Sequence, residues 1–473
     1  MRRTVLAFLV VVSALLWTAS SALAGARAAT RPRYGGTLRV EMRARVASLD
    51  PREMPVSSPA AEKLALLVFE RLVRLDESGR PQPQLAVAWQ RDADVKRWQF
   101  RLRPGVSFHD GSALAPQAVA AALQPLLGRD RSVSLSGEWL VIESQQPMPD
   151  LLGELARGRN FVFRVAADGS IAGTGAFRIS EWLPGRWLVV GANEDYWAGR
   201  PFLDSITVEM GVAASQQLVN LELGKADVVE LLPEQIRRAS QMGARTWSSA
   251  PVELLALVFD PGRPAAQDAR VRQAVASAID RASIWNVLLQ KQGEAAGGLL
   301  PQWLSGYAFL FSTAADLERA KRLRAEFSAL PALSLVYDSA DPVARAVAER
   351  IAVNARAAGI TMQAGPQKAD ARADARLMRL PIRSLEAAAA LRELVVPLGL
   401  ADAYKPRSSS FEDLYSAERR LVETYRVVPL FHLPETYALS APVKNWMPPR
   451  CGGWRLEDVW LDLSPSAAAG GTP

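Results

Sequence analysis

In the first half of the chain, apolar and β-branched residues come in short runs between turn formers: Thr37 to Met42, Trp98 to Leu102, Phe161 to Val165, Phe177 to Trp182, Trp187 to Gly191, Ile206 to Met210 and Leu254 to Phe259. Runs of this length and composition predict strands. Two helices are predicted among them: Pro59 to Arg71 with Ser58 as N-cap, and Pro116 to Leu127 with Leu123 and Leu127 on one stripe.

The pattern changes near Pro261. From Asp268, an N-cap, residues Val271, Val275, Ile279, Ala282 and Leu289 recur at helical steps and leave Arg272, Asp280 and Arg281 for the opposite side. A second amphipathic helix is predicted from Asp316, with Glu318 four residues before Arg322. Leu333 to Tyr337 predicts a strand, Asp341 and Pro342 a helix start, Val343, Val347, Ile351 and Ala355 its buried stripe, Gly359 its stop, and Ile360 to Gln363 a second strand. Such a βαβ crossover requires a parallel pair with helices over the sheet, so this half is an α/β unit of its own. Helices from Ser384 to Leu394 and Glu412 to Tyr425 follow, then a return to strand over Val427 to Leu433.

The chain starts Met1-Arg2-Arg3, runs through an apolar stretch from Val5 to Trp17, and reaches Ala22-Leu23-Ala24 before Gly25, the layout of a secretory signal peptide cut after Ala24. No cysteine stands near the cut, so a lipid anchor built there is not expected, and the mature chain is expected to be free in the periplasm. No later run reaches the roughly 18 to 20 apolar residues that span a bilayer. The 473 residues exceed what one core usually serves, so two or three domains are expected. The single cysteine, Cys451, excludes an internal disulfide. Without Arg2 and Arg3, 54 basic residues face 49 acidic ones, a formal charge of +5. The excess is scattered, without basic runs interleaved with aromatics, and nucleic acid is not an expected partner.

Catalytic chemistry finds little to stand on. His109 sits in Phe108-His109-Asp110-Gly111, a turn, and His432 in an apolar run, and neither has a partner at zinc-ligand spacing. Phosphate-loop, C-x-x-C, H-E-x-x-H and G-x-S-x-G motifs are missing from the sequence. Gly173-Thr174-Gly175 leads into a strand instead of a helix and so lacks the N-terminus that would hold a phosphate; it reads as a turn or as a close backbone approach to a ligand. No catalytic residue, metal site or cofactor is expected. Twelve tryptophans remain after Trp17 leaves with the signal, and some, Trp303 among them, are candidates for an aromatic cleft wall.

Several segments in shared order resemble family 5 of the extracytoplasmic solute-binding proteins, those of dipeptide, oligopeptide and nickel uptake systems. They are Tyr34-Gly35-Gly36-Thr37-Leu38; Phe69-Glu70-Arg71-Leu72-Val73 with Pro83-Gln84-Leu85-Ala86 and Trp89; Trp98 to Asp110-Gly111; Gly173 to Phe177; Asn193 to Pro201; and Asp268 to Ile284. The resemblance covers about 34 to 290, more weakly to about 463. It implies an α/β fold of the periplasmic binding protein-like II type, two lobes around a ligand cleft with a small domain inserted in the first. Lobe I would comprise 34–50, 171–261 and 426–463, the insert 51–170 and lobe II 262–425, with a disordered tail over 464–473.

The sequence departs from the family pattern in two places. Arg129 to Arg164 is abbreviated, and the stretch Ala375 to Ser384 stands where members often carry an acidic W-x-x-D-Y-x-D-P-like segment whose aspartate pairs with a peptide's amino terminus. Here that stretch contains no acid and offers Arg379 and Arg383, which would favour a carboxylate or phosphate if they face the cleft. Ser48, Asp50 and Thr174, which flank core strands, are the lobe I candidates for ligand binding. The resemblance implies a monomeric periplasmic binding component of an ABC importer, capturing a peptide or small organic solute by lobe closure and delivering it to permease subunits. An interaction or sensor protein on the same scaffold is the alternative from another class, and a secreted hydrolase the least supported.

Overall fold

The computed structural model describes residues 31–463 apart from 56–57, 77–78, 167–168, 369–371 and 448–453. The predicted signal segment 1–24, Cys451 and the predicted tail 464–473 lie outside the described residues. None of the described helices is long and apolar enough to cross a membrane.

The chain enters as β1 (Thr37–Met42), which buries Leu38, Val40 and Met42 on one face. Helix α1 (Pro59–Val68) starts where the Ser58 hydroxyl accepts the Ala61 N–H at 3.2 Å and Pro59 fills the first turn. It stops short of Arg71 because Phe69 is extended, at φ −117°.

An insert follows: β2 (Ala86–Arg91), β3 (Arg97–Leu102), α2 (Pro116–Leu123), β4 (Arg131–Ser136) and β5 (Trp139–Ser144). Its strands form an antiparallel sheet in the order β2-β3-β5-β4 over a separate core that includes Phe100, Leu123, Leu140 and Ile142. The strand expected from Phe161 to Val165 shrinks to Arg164–Val165 against Ile171–Ala172, with Val162 bridged to Glu70.

The chain then returns beside β1 through β6 (Phe177–Leu183), β7 (Trp187–Ala192), β8 (Ser205–Met210) and β9 (Val228–Glu230). Strand β10 (Arg245–Phe259) carries it into the second half, where the helix expected from Asp268 is two: α3 (Ala269–Ala278) and α4 (Arg281–Val287). The break falls at Ile279 because the Asp280 carboxylate accepts the Ser283 N–H at 3.0 Å and starts a new helix. Arg272 and Arg281, expected on the outer side, are buried: Arg272 donates to the carbonyls of Ala266, Gln267 and Thr424, and Arg281 to that of Pro429. Near Asp316 the ion pair is Glu318 with Lys321 at 2.9 Å, where spacing suggested Arg322.

The βαβ unit takes its expected form. β11 (Leu333–Tyr337) and β12 (Met362–Pro366) pair in parallel around α5 (Pro342–Ala357). Asp341 caps that helix by accepting from Val343 N and Ala344 N, its stripe is buried, and Gly359 beyond it takes φ +77°. β13 (Ala375–Pro381), α6 (Ala387–Val395), α7 (Phe411–Val422) and β14 (Val427–Leu439) complete the chain's main elements.

One sheet runs through both halves in the order β6-β7-β8-β1-β9-β14-β10-β13-β11-β12. In the second half, alternate β10 residues serve opposite faces: Leu255, Leu257 and Phe259 pack with the core of α3 and α5, and Leu254, Ala256 and Val258 with that of α6 and α7. Among the described residues only β10 and β14 belong to both halves. Residues 245–248 pair with 436–439 beside β9, and residues 253–258 pair with 427–433 beside β13. Between these stretches the register slips, and Pro251 stands opposite Pro434. Neither proline can donate a ladder hydrogen bond, so the pairing is weakest where the chain crosses between lobes.

Candidate functional site

A cavity of about 770 Å³ opens between the first half, its insert and the second half. Residues after the insert contribute Gly175, Tyr196, Trp197 and Phe202 to its wall; the insert adds Glu70, Gln84, Arg103 and Arg157; the second half contributes Arg383 and Leu385.

Glu70 and Arg71 reach this wall because the chain straightens after α1. Gly173 and Gly175 press on the end of that helix: a Cβ at Gly173 would collide with the Val68 carbonyl, and one at Gly175 would lie 2.7 Å from it. The close approach expected of these glycines is therefore to the protein's own backbone, and it sets Thr174 against Glu70. The Glu70 carboxylate accepts from Thr174 Oγ1 at 2.8 Å, Tyr196 OH at 2.9 Å, Trp197 Nε1 at 2.9 Å and Gln84 Nε2 at 3.3 Å. Burial outweighs these donors and pushes its pKa up to about 7. Arg103 lies 4.0 Å from the Trp197 ring centroid, a cation–π contact that fixes the indole.

Arg71 is buried, with 5% of its surface left exposed. It pairs with Glu62 at 2.6 Å, donates to the carbonyls of Ala156 and Gly158, and lies 4.3 Å from the Phe161 ring centroid. Burial lowers its pKa, and the positive charges of Arg383 and Arg157 add to that after the opposing pull of Glu62. Arg157 donates to the Gly153 carbonyl at 2.7 Å and pairs with Glu393 of α6 at 2.6 Å.

Of the six residues singled out from sequence, Arg383 lines the cavity and the others do not. Ser48 donates to Glu53 and accepts from the Asp50 backbone, Asp50 pairs with Arg52 at 2.5 Å, and Thr174 is spent on Glu70. Trp303 donates to the Pro251 carbonyl at 2.8 Å, tying its short helix to the crossing strand. Arg379 bridges Glu253 and Asp341, each at 2.8 Å. Those two carboxylates overcome the effect of burial and hold the guanidinium charged. Reasoning from sequence passed over Glu70, Arg71, Arg157 and Trp197. A Glu-Arg pair ending an apolar helix, and an adjacent Tyr-Trp, are signals that could have flagged three of them.

Both histidines are structural. His109 Nε2 meets the Gly175 carbonyl and His432 Nε2 the Leu299 carbonyl, each at 3.0 Å. Among the described residues no group of three or more His, Cys, Asp or Glu side chains is placed to hold a metal ion.

Residues 80–380 match the bacterial extracellular solute-binding proteins, family 5 (middle). The oligopeptide-binding protein AppA of Bacillus subtilis is 21% identical over 60% of this chain and 57% of its own length. The nickel-binding periplasmic protein of Escherichia coli is 28% identical over 46% of this chain and 47% of its own length. The chain thus spans less than two thirds of the curated relatives it matches. Among solved structures, the periplasmic binding protein DppA of Helicobacter pylori with the peptide STSA superposes with a TM-score of 0.77 at 17% identity, covering 91% of this chain and 98% of that one. NikA of Brucella suis with Fe(III)-EDTA gives 0.76 at 21% identity, covering 90% and 100%. These likenesses establish the two-lobed α/β fold, and the match over residues 80–380 establishes the family: the chain belongs to family 5 of the bacterial extracellular solute-binding proteins.

Proposed function

We propose that the chain captures a small organic solute or short peptide in the cavity between its lobes and presents it to the membrane subunits of an ATP-driven importer, without transforming it. The observation that carries this reading is the cavity itself, which has walls from the insert, the first half and the second half of the chain. At about 770 Å³ it falls within the usual range for small-molecule sites and would admit a peptide of a few residues. The relatives and neighbours named for oligopeptide, peptide, nickel and metal-chelate binding support a solute of that size.

In this reading the chain is exported, loses residues 1–24, and acts unanchored and as a monomer in the periplasm. Lobe I takes residues 34–50, 171–261 and 426–463, the insert 51–170, and lobe II 262–425. Closure rotates lobe II about the stretch around Pro251 and Pro434. The proposed ligand contacts are Arg383, Arg71, Arg157 and Trp197.

The test is thermal unfolding of the mature chain with pools of short peptides, organic acids, sugars and metal chelates. A ligand at 100 times its Kd adds roughly 2.7 kcal/mol of stability, enough to raise the midpoint measurably. A rise with one pool is the expected result. Folded, ligand-stripped protein that responds to no pool would refute solute capture.

A further inference from the structure

We propose a second binding site, for a small doubly charged oxyanion such as sulfate or phosphate, between Arg272 and Arg426 at the end of β10 away from the crossing. A cavity of about 230 Å³ lies there, lined by Phe259, Pro261, Ala266, Gln267, Arg272 and Arg426, and it shares no lining residue with the cavity between the lobes. Small-molecule sites usually hold about 300–1,000 Å³, so this smaller space suits an ion better than an organic solute.

The turn from α7 into β14 brings the two arginines together. Arg272 of α3 donates through Nε and Nη2 to the Thr424 carbonyl at 3.1 and 2.9 Å, and through Nη1 to the carbonyls of Ala266 and Gln267 at 2.8 and 2.7 Å. Two residues beyond Thr424, Arg426 is fixed by its backbone: its N–H donates to Thr424 Oγ1 at 3.3 Å and its carbonyl accepts from Phe259 N at 2.9 Å. Every partner of Arg272 is a neutral carbonyl, so the hydrogen bonds satisfy its guanidinium and leave the charge uncompensated. Arg272 is 8% exposed, and the half-buried Arg426 has no side-chain partner among the described residues.

The acids of this corner are engaged elsewhere. Asp268 pairs with Arg270 at 2.7 Å, Asp374 with Arg263 at 3.2 Å, and the Asp260 carboxylate accepts the Gly262 N–H at 2.8 Å. Among the described residues none of the three lines the cavity. Burial lowers the pKa of Arg272, and the positive charge of Arg426 lowers it further than Asp268 restores it. Two like charges beside the apolar wall of Phe259, Pro261 and Ala266 repel in a space with little water to screen them. A dianion cancels both charges where a carboxylate would cancel one, and the open fork of Arg426 matches two oxygens of an oxyanion. Held by both residues, the ion ties α3 to the start of β14 and stabilises lobe II without touching the captured solute.

The experiment follows thermal unfolding of the ligand-stripped mature chain in the sodium salts of sulfate, phosphate, acetate and chloride at constant ionic strength. Sulfate and phosphate should raise the wild-type midpoint by ~2 °C or more beyond chloride along a saturating curve, and acetate by much less. Sulfate also stabilises folded proteins in general, and Arg426→Gln should retain only that part, so the difference between the two proteins isolates the site. Arg383→Gln, altered in the cavity between the lobes, should keep the full response. Equal responses of wild type and Arg426→Gln, a response lost in Arg383→Gln, or acetate as effective as sulfate would overturn the proposal. Should Arg426→Gln not fold, sulfate is titrated calorimetrically into Arg383→Gln: one saturable site per chain is the expected result, and no saturable heat would overturn the proposal.

Discussion

The Arg157 guanidinium of the insert and the Glu393 carboxylate of α6 meet at 2.6 Å, joining the two halves at the edge of the cleft. The neighbouring residue, Arg392, reaches Asp150 at 2.5 Å with the polarity reversed. Two reciprocal pairs between one short helix and the insert fix how the lobes meet as well as holding them together.

Asp150→Arg should therefore weaken binding of any solute that requires closure, and Arg392→Asp should do the same. Both side chains are about half exposed, so the pair is worth about 1 kcal/mol or less, roughly fivefold in affinity. The double variant should recover most of the loss, and added salt should shrink the difference. A double-mutant cycle on the measured Kd checks this.

Arg379→Gln should behave unlike Arg383→Gln. It leaves the partly buried Glu253 and Asp341 carboxylates without their shared cation, at a cost of about 1–3 kcal/mol. Chemical denaturation should show that loss. Solute binding should survive it.

Glu418 accepts from Leu299 N at 2.5 Å, Leu300 N at 3.3 Å and Tyr307 OH at 2.8 Å, and burial pushes its pKa up to about 7. A raised carboxyl pKa means that the folded state holds its proton longer than the unfolded chain does. The contribution is complete below the ordinary carboxyl value of 4.5 and is lost as pH rises through about 7. Stability of the wild type should fall across that window more steeply than that of Glu418→Gln, by up to about 1.4 kcal/mol per pH unit. His109, its pKa lowered by burial, works in the opposite direction but is common to both proteins. Denaturant midpoints from pH 4.5 to 7.5 supply the comparison.

Gly173→Ala and Gly111→Ala should separate close approach from backbone freedom. At Gly173 a methyl group meets the Val68 carbonyl, so either α1 or the segment entering β6 must move, at a cost of about 3 kcal/mol. Gly111 has φ +82° with open space around it, so its substitution costs about 1 kcal/mol of backbone strain. Thermal midpoints of the two variants check the order.

Much of the fold was legible because burial imposes a period. Val343, Val347, Ile351 and Ala355 predicted α5, and β1 alternates as its residues do. Periodicity misplaced Arg272 and Arg281 because it equates charge with solvent. A guanidinium that donates to backbone carbonyls, three for Arg272 and one for Arg281, satisfies itself inside, and no pattern of apolar positions reports those carbonyls. The single helix expected from Asp268 failed for a local reason, since Asp280 caps as readily as it decorates a surface.

The cavity was less legible. Arg71, Trp197 and Arg383 are far apart in sequence and line one cavity only once the chain has folded. Arg379 and Arg383 look alike in sequence, four residues apart near the end of one strand. The carboxylates that claim Arg379 come from β10 and from the cap of α5, and neither is visible from its own segment.

The most direct test of solute capture between the lobes is a crystal structure of the mature chain with whichever solute the pooled screen selects. Ligand density inside the cavity, in contact with both Trp197 and Arg383 while the Arg157–Glu393 pair is made, is the predicted result. Ligand bound to one lobe alone, or outside this cavity, would contradict it.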